Sequence, residues 1–209
     1  MRISVAGFFA GLVIFAALAV PAVVAEAAPA GCAAGAPGPV GAEVYTILSK
    51  LVAAEYGSEY ELILLNDRTE KWCINSPLGA LFKQWPGLKQ ETIDSLIVGN
   101  SGEPDLFERK FDLPAAYALI SEQEFIAALQ DSANPNWDNF DSTFTDAQGL
   151  LTFSKIGFDA ARSQALVIFS NAYRCSGTTI SPADRKIAFF DKTGGPWKLV
   201  GIARGFRAR

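Results

Sequence analysis

An α+β fold, with N-terminal helices packed on a C-terminal antiparallel β-meander, is predicted by three features of the sequence. Apolar residues recur at helical spacing through the first half of the chain. From Gly149 onward they form short runs separated by Gly, Asp and Pro. Helices first and strands last is the order that places one sheet under a helical layer on one face.

The chain opens with an apolar stretch, Ile3 to Val20, that follows Arg2 and is broken by Pro21. Small residues then line up at Val23-Val24-Ala25, Ala25-Glu26-Ala27 and Ala28-Pro29-Ala30, so residues 1–25 are expected to be a secretory signal peptide cleaved between Ala25 and Ala30. An uncleaved anchor is the rival reading, because Ile3 to Ala25 is long enough to span a bilayer. Lipidation at Cys32 is disfavoured: Pro29-Ala30-Gly31 precedes it, and it lies well past the apolar run. Residues 26–41, EAAPAGCAAGAPGPVG, have no hydrophobic period and read as an Ala/Gly/Pro-rich spacer. Residues 42–209 have the length of one α+β domain.

Within that domain Val44, Ile47, Leu48, Leu51 and Val52 share a helical face, which predicts a helix from Ala42 to Tyr56 stopped by Gly57. Tyr60 to Leu65 reads as a strand turning at Asn66-Asp67, with Thr69 to Cys73 as a candidate extension. Glu91 to Val98 is helical in pattern, with Ile93, Leu96 and Ile97 inward, and residues 100–104 form a loop. Tyr117 to Ile120 reads as a strand entering a helix, since Ser121 and Glu124 have the spacing of a capping box and Phe125, Ala128 and Leu129 make an inner face. Trp137, Phe140 and Phe144 predict one more short helix. The meander strands are Leu150 to Phe153, Ala165 to Phe169, Lys186 to Phe190 and Trp197 to Ala203, with Gly194 and Gly195 in the last hairpin.

Composition restricts the chemistry. The chain has no histidine, which excludes the usual base of Ser and Cys hydrolases, imidazole-zinc sites and a histidine pH switch. Catalysis would have to rest on carboxylates, Lys, Tyr, Ser or Cys. The net charge is −4, and loss of Arg2 with the leader makes it more negative, which argues against nucleic acid and anionic membrane as partners. The basic end Arg204 to Arg209 reads as a solvated tail.

No catalytic residue can be named, and no cofactor or metal is predicted. Asp138, Asp141 and Asp146, with Asn134, Asn136 and Asn139, make the densest oxygen cluster, but their spacing is not that of a calcium loop and a helical period runs through them. Neither a phosphate loop nor a G-x-S-x-G elbow occurs. Export favours disulfides, and Cys73 and Cys175 fall at ends of predicted strands, so a Cys73–Cys175 bridge is expected, with Cys32 left over. A catalytic cysteine is disfavoured, since only a cation such as Arg174 could lower its pKa.

The segment Leu151-Thr152-Phe153-Ser154-Lys155-Ile156-Gly157-Phe158-Asp159, then Gln164 to Phe169, resembles a group of uncharacterised exported bacterial proteins. These carry an F-S-x-V-G-F-[ND] segment, an A-L-V-Y strand, a cysteine and glycine turn, and a closing G-x-W-K-V strand. Gly195-Pro196-Trp197-Lys198-Leu199-Val200 is similar to that closing strand, and the resemblance runs from Tyr117 to Val200, including the Trp and Phe segment at 137–140. It implies no activity. The group tends to pair cysteines near the turn where this chain has Cys175 alone, which strengthens the pairing with Cys73.

The expected function is a non-catalytic binding or interaction domain, periplasmic or secreted, acting on an unknown protein or small-molecule partner with no membrane contact beyond the leader. The alternatives are a carboxylate-dependent hydrolase of envelope or extracellular glycan and a membrane-anchored structural envelope protein. Two carboxylates facing across a deep apolar cleft would favour the hydrolase.

Overall fold

The computed structural model describes residues 40–57, 60–72, 78–130, 135–173 and 185–204. Among these, five helices and a seven-stranded mixed sheet make the α+β fold: α1 (Ala42–Tyr56), β1 (Leu62–Asn66), α2 (Leu81–Gln84), α3 (Gln90–Gly99), β2 (Ala116–Ile120), α4 (Glu122–Leu129), α5 (Trp137–Thr143), β3 (Ala147–Phe153), β4 (Gly157–Phe158), β5 (Gln164–Ala172), β6 (Lys186–Asp191) and β7 (Lys198–Ala203). The sheet order is β2-β1-β3-β5-β6-β7, and the short β4 pairs with β5. Strands β3, β5, β6 and β7 form the antiparallel meander. On its β3 side the sheet is extended by β1 and β2, which run parallel to each other and to β3.

Helices cover both faces of this sheet, whereas the sequence had suggested one. Alternate side chains of a strand point to opposite faces, and both sets are apolar here. Leu151, Phe153, Ala165, Val167 and Phe169 pack with α1 residues Ile47, Leu48, Leu51 and Val52. On the other face Leu166, Ile168, Ile187 and Phe189 pack under Trp85, Ile93 and Leu96. Beside them Leu64 and Leu150 pack under Phe125, Leu129, Trp137 and Phe140 of α4 and α5. Every residue from Gln164 to Ser170 in β5 is buried, as befits a strand covered on both sides.

Local chemistry sets the ends. Gly57 ends α1 at φ 20°. Ser121 and Glu124 close the capping box of α4 in both directions, and Asn136 caps α5 by accepting from Asn139 N–H. Gly194 takes φ 82° in the turn from β6 to β7, a conformation that favours glycine. In α3 the inward residues are Thr92, Ile93 and Leu96, while Ile97 is 38% exposed.

That rotation of α3 is imposed by a strap running from β3 into β5. Phe153 is buried in the α1 cluster. Ser154 accepts a hydrogen bond from Ile168 N–H and donates to Lys155 C=O. Asn100, at the end of α3, donates to Lys155 C=O and accepts from Lys155 N–H. A Cβ on Gly157 would lie 2.3 Å from Leu96 N, so the helix backbone sits directly on this glycine. Phe158 N–H donates to Ser95 Oγ, and Asp159 reaches Lys89 just ahead of α3.

Candidate functional site

Cys32, Cys73 and Cys175 lie outside the described residues, as do Asn134, Arg174, the leader, the spacer up to residue 39 and residues 205–209. The expected disulfide therefore falls outside them too. The Asp/Asn segment is built into helix α5: Asn136 is its cap, Asn139 Nδ2 donates to Ala128 C=O, and Asp138 and Asp141 are on its exposed side. Asp146 stands in the turn before β3 at φ 62°. Among the described residues no group of three metal-ligating side chains converges, and no helix is long and apolar enough to cross a membrane. Arg204 is exposed, 3.9 Å from Glu55.

One cluster has the composition of a nucleophile with a base. Asp159, whose side chain is fully buried, accepts from Lys89 Nζ at 2.6 Å, Ser163 N at 2.6 Å, Ser163 Oγ at 2.7 Å and Gln164 N at 2.7 Å. Lys89 Nζ also lies 3.2 Å from Ser163 Oγ. Its electrostatics run against catalysis. A Ser-Lys pair needs a lysine with a depressed pKa, whereas the hydrogen bond to Asp159 raises that of Lys89. Burial alone would raise the pKa of Asp159, but Lys89, the Gln164 N–H and the Ser163 donors outweigh it and hold the carboxyl well below its usual value. The Ser163 proton points at a carboxylate too weakly basic to take it. This cluster is a lock between the strap and α3. Gln164 completes it, accepting from Lys89 N and donating to Gly87 C=O.

Beside the lock, Trp85, Phe189, Val200, Gln164 and Asp191 line an open groove of about 290 Å³. Trp85 and Phe189 rings are 5.3 Å apart. Burial would raise Asp191, yet hydrogen bonds from Thr193 and the Gln164 amide hold it below the ordinary carboxylate value. The Gln164 amide is already engaged by Lys89 N and Gly87 C=O, and the other polar side chains of the lining are the Asp191 carboxylate and the exposed Gln84.

A larger groove, about 410 Å³, runs along the outer flank of α1 against the irregular segment Phe107 to Asp112. Tyr45, Thr46, Ser49 and Lys50 line it from the helix, and Lys110 and Asp112 from the segment. The segment is tied to α1 and β2 by ring contacts and backbone hydrogen bonds. Phe107 and Phe111 enter the α1 cluster beside Tyr45, and the three rings form a triangle with centroids 6.1, 5.1 and 5.4 Å apart. Glu108 N–H donates to Tyr45 Oη at 2.8 Å, and Asp112 N–H to Ser49 Oγ at 2.9 Å. Phe111 N–H donates to Tyr117 Oη.

This geometry orients the two buried hydroxyls. Each oxygen accepts from the backbone N–H beside it, and among the described residues no acceptor takes either hydroxyl proton. A hydroxyl supplies one donor besides its lone pairs, so Tyr45 and Ser49 retain donors at the groove. Lys50 makes no ion pair among the described residues, whereas Lys110 is 2.8 Å from Glu108, with both side chains more than half exposed. That hydrogen bond raises the Lys110 pKa. Each of the two grooves is lined by one carboxylate, Asp112 in the larger and Asp191 in the smaller.

Sequence reasoning missed this groove. The faint signal was Tyr45 and Ser49, four residues apart on the flank of a predicted helix, with Phe107 and Phe111 four apart in a stretch without a helical pattern. Comparison of the chain with known protein families, with curated proteins and with solved structures finds no match.

Proposed function

We propose that this chain is an exported, non-catalytic binding domain, periplasmic or secreted, that holds a small ligand in the groove between α1 and Phe107–Asp112. The observation that carries the reading is a pair of buried hydroxyls, each fixed by a backbone N–H and each with a proton to donate, in a groove of about 410 Å³. A volume of that size suits a small molecule, and pre-formed polar groups on a rigid wall are what such sites use for orientation. Export rests on the leader, Pro21 and the small residues that follow it. A glycan hydrolase working through two facing carboxylates finds support in neither groove, since each is lined by one acid.

The test is a screen of small metabolites against the exported protein by thermal shift, with hits followed by amide chemical shifts. Ligands of this site should move the Glu108 and Asp112 amides and lose binding in Ser49→Leu, which fills the groove. Hits that ignore Ser49→Leu would overturn the assignment. Turnover of a glycan, ester or peptide that disappears on replacing one Asp or Glu, with the fold intact, would establish the hydrolase instead. N-terminal sequencing of the exported material should begin between Glu26 and Gly31; intact Met1 in the membrane fraction would replace export with an anchored protein.

A further inference from the structure

We infer that the ligand of the α1 groove presents an anionic head, a carboxylate or a phosphate, to Ser49, Tyr45 and Lys50. This rests on the reading of the groove as a ligand site and adds the chemical class. The groove offers donors in excess. Ser49 and Tyr45 have their oxygens engaged by Asp112 N–H and Glu108 N–H and their protons available. Lys50, one residue after Ser49 on α1, brings an ammonium with no ion-pair partner among the described residues, and Lys110 brings a second. Asp112 is the carboxylate of the lining. Its backbone N–H holds Ser49, and any residue but proline would supply that bond, so the contact survives when the side-chain charge is removed. Glu108 already sits on Lys110, so the charges left to face a ligand are the Lys50 ammonium and the Asp112 carboxylate, and the excess of donors comes from the Ser49 and Tyr45 protons.

The ligand must therefore supply acceptors. A neutral hydroxyl could satisfy the two protein hydroxyls but would leave Lys50 unanswered. A carboxylate or phosphate answers both, because hydrogen bonds to an ionised acceptor are about twice as strong as neutral ones. A cation would have Asp112 to meet it, but it would face Lys50 and leave both hydroxyl protons without an acceptor.

The sign of the Asp112 effect decides the matter. Titrations of the full exported chain with inorganic phosphate, acetate, acetamide and methylammonium are followed by the amide shifts of Glu108 and Asp112. Phosphate or acetate should bind, and the better of the two identifies the head group. Lys50→Gln should weaken that anion about tenfold or more, and Lys110→Gln should weaken it less, because Glu108 already occupies Lys110. Asp112→Asn keeps its backbone N–H on Ser49 while removing the negative charge, so it should tighten the anion several-fold. Lys83→Gln, on the exposed side of α2, should leave the titration unchanged. Binding of acetamide or methylammonium in preference to the anions, weakened by Asp112→Asn, would overturn the anionic assignment and leave the ligand groove standing. Absence of binding in all four arms would overturn both. An anion effect that Lys83→Gln reduces as much as Lys50→Gln would mean general charge screening and would also overturn the assignment.

Discussion

Replacing Asp159 should destabilise the domain more than any other single carboxylate change, by an amount the lock allows to be worked out. Its side chain is fully buried and accepts four hydrogen bonds, from Lys89 Nζ, Ser163 N, Ser163 Oγ and Gln164 N. Lys89 is nearly half exposed, so water can take over its amine and that bond is discounted. The Gln164 N–H is buried and the Ser163 N–H part-buried, and an unsatisfied buried donor costs about 1 to 3 kcal/mol. Asp159→Ala should therefore cost about 3 to 5 kcal/mol at neutral pH, which for a domain of this size lowers the melting temperature by about 10 °C. Asp159→Asn can still accept both N–H groups through its oxygen and should cost about half as much. The pH dependence has a definite sign. A carboxyl whose pKa is depressed in the folded state takes up its proton there at lower pH than in the unfolded chain, so the stability it contributes is present above the unfolded value of about 3.9 and is lost as pH falls below it. Denaturant unfolding at pH 7, 5 and 3 should show a steep acid loss in the parent and a shallower one in Asp159→Asn. Glu43 and Asp191, also held below their usual range, keep some slope in both. A cost under about 1 kcal/mol for Asp159→Ala, or an acid limb equally steep in Asp159→Asn, would refute the lock.

Three further outcomes are expected. Gly157→Ala should cost more than about 2 kcal/mol in urea unfolding, because its Cβ would meet the Leu96 backbone at 2.3 Å and α3 would have to lift; a neutral substitution would mean that α3 does not rest on the strap. Ser121→Ala removes the reciprocal cap of α4 and should lower stability by about 1 kcal/mol, checked by the urea midpoint at constant m-value. The proposed Cys73–Cys175 bridge closes a loop of about 100 residues and should make the oxidised protein more stable than the reduced by about 2 to 5 kcal/mol; peptide mapping that finds Cys73 alkylated without reduction would remove it.

The parts of this fold legible in sequence are those set by local periodicity. Helix α1 and its stop at Gly57, the capping box at Ser121 and the four meander strands all follow from spacing within a few residues. What the spacing could not show is which strands pair across a long interval. Tyr60 to Leu65 and Tyr117 to Ile120 read as isolated strands, yet as β1 and β2 they extend the sheet in parallel beyond β3, and the register that joins them is fixed by contacts far apart in the chain. The second helical layer had a local signal, since Ala165 to Phe169 is apolar without alternation, the mark of a strand buried on both faces. Ile97 misled because Gly157 draws α3 in along Leu96, which turns Thr92 inward and Ile97 out. The larger groove was illegible for a different reason: Phe107 to Asp112 is irregular, and its position depends on where two aromatic rings and two backbone N–H groups find α1.

The same contrast explains why the most distinctive segment of the sequence is silent about activity. From Phe153 to Asp159 almost every residue is occupied in holding the fold. Phe153 fills the core, Ser154 and Lys155 tie the strap to β5 and to the end of α3, Gly157 seats the helix, Phe158 N–H holds Ser95, and Asp159 locks Lys89. A segment so constrained would stay recognisable in any chain that built this sheet and helix, whatever the chain bound. The donors of the α1 groove carry no such burden on their outward side. Tyr45 and Ser49 need their oxygens for the fold, but their protons, and the charge of Lys50, are free of it. A substitution that keeps the backbone contacts and changes those donors, such as Lys50→Gln, should alter binding with little loss of stability, while changes in the strap should do the reverse. If the proposed groove is the binding site, that separation should appear as binding changes confined to α1 and stability changes confined to the strap.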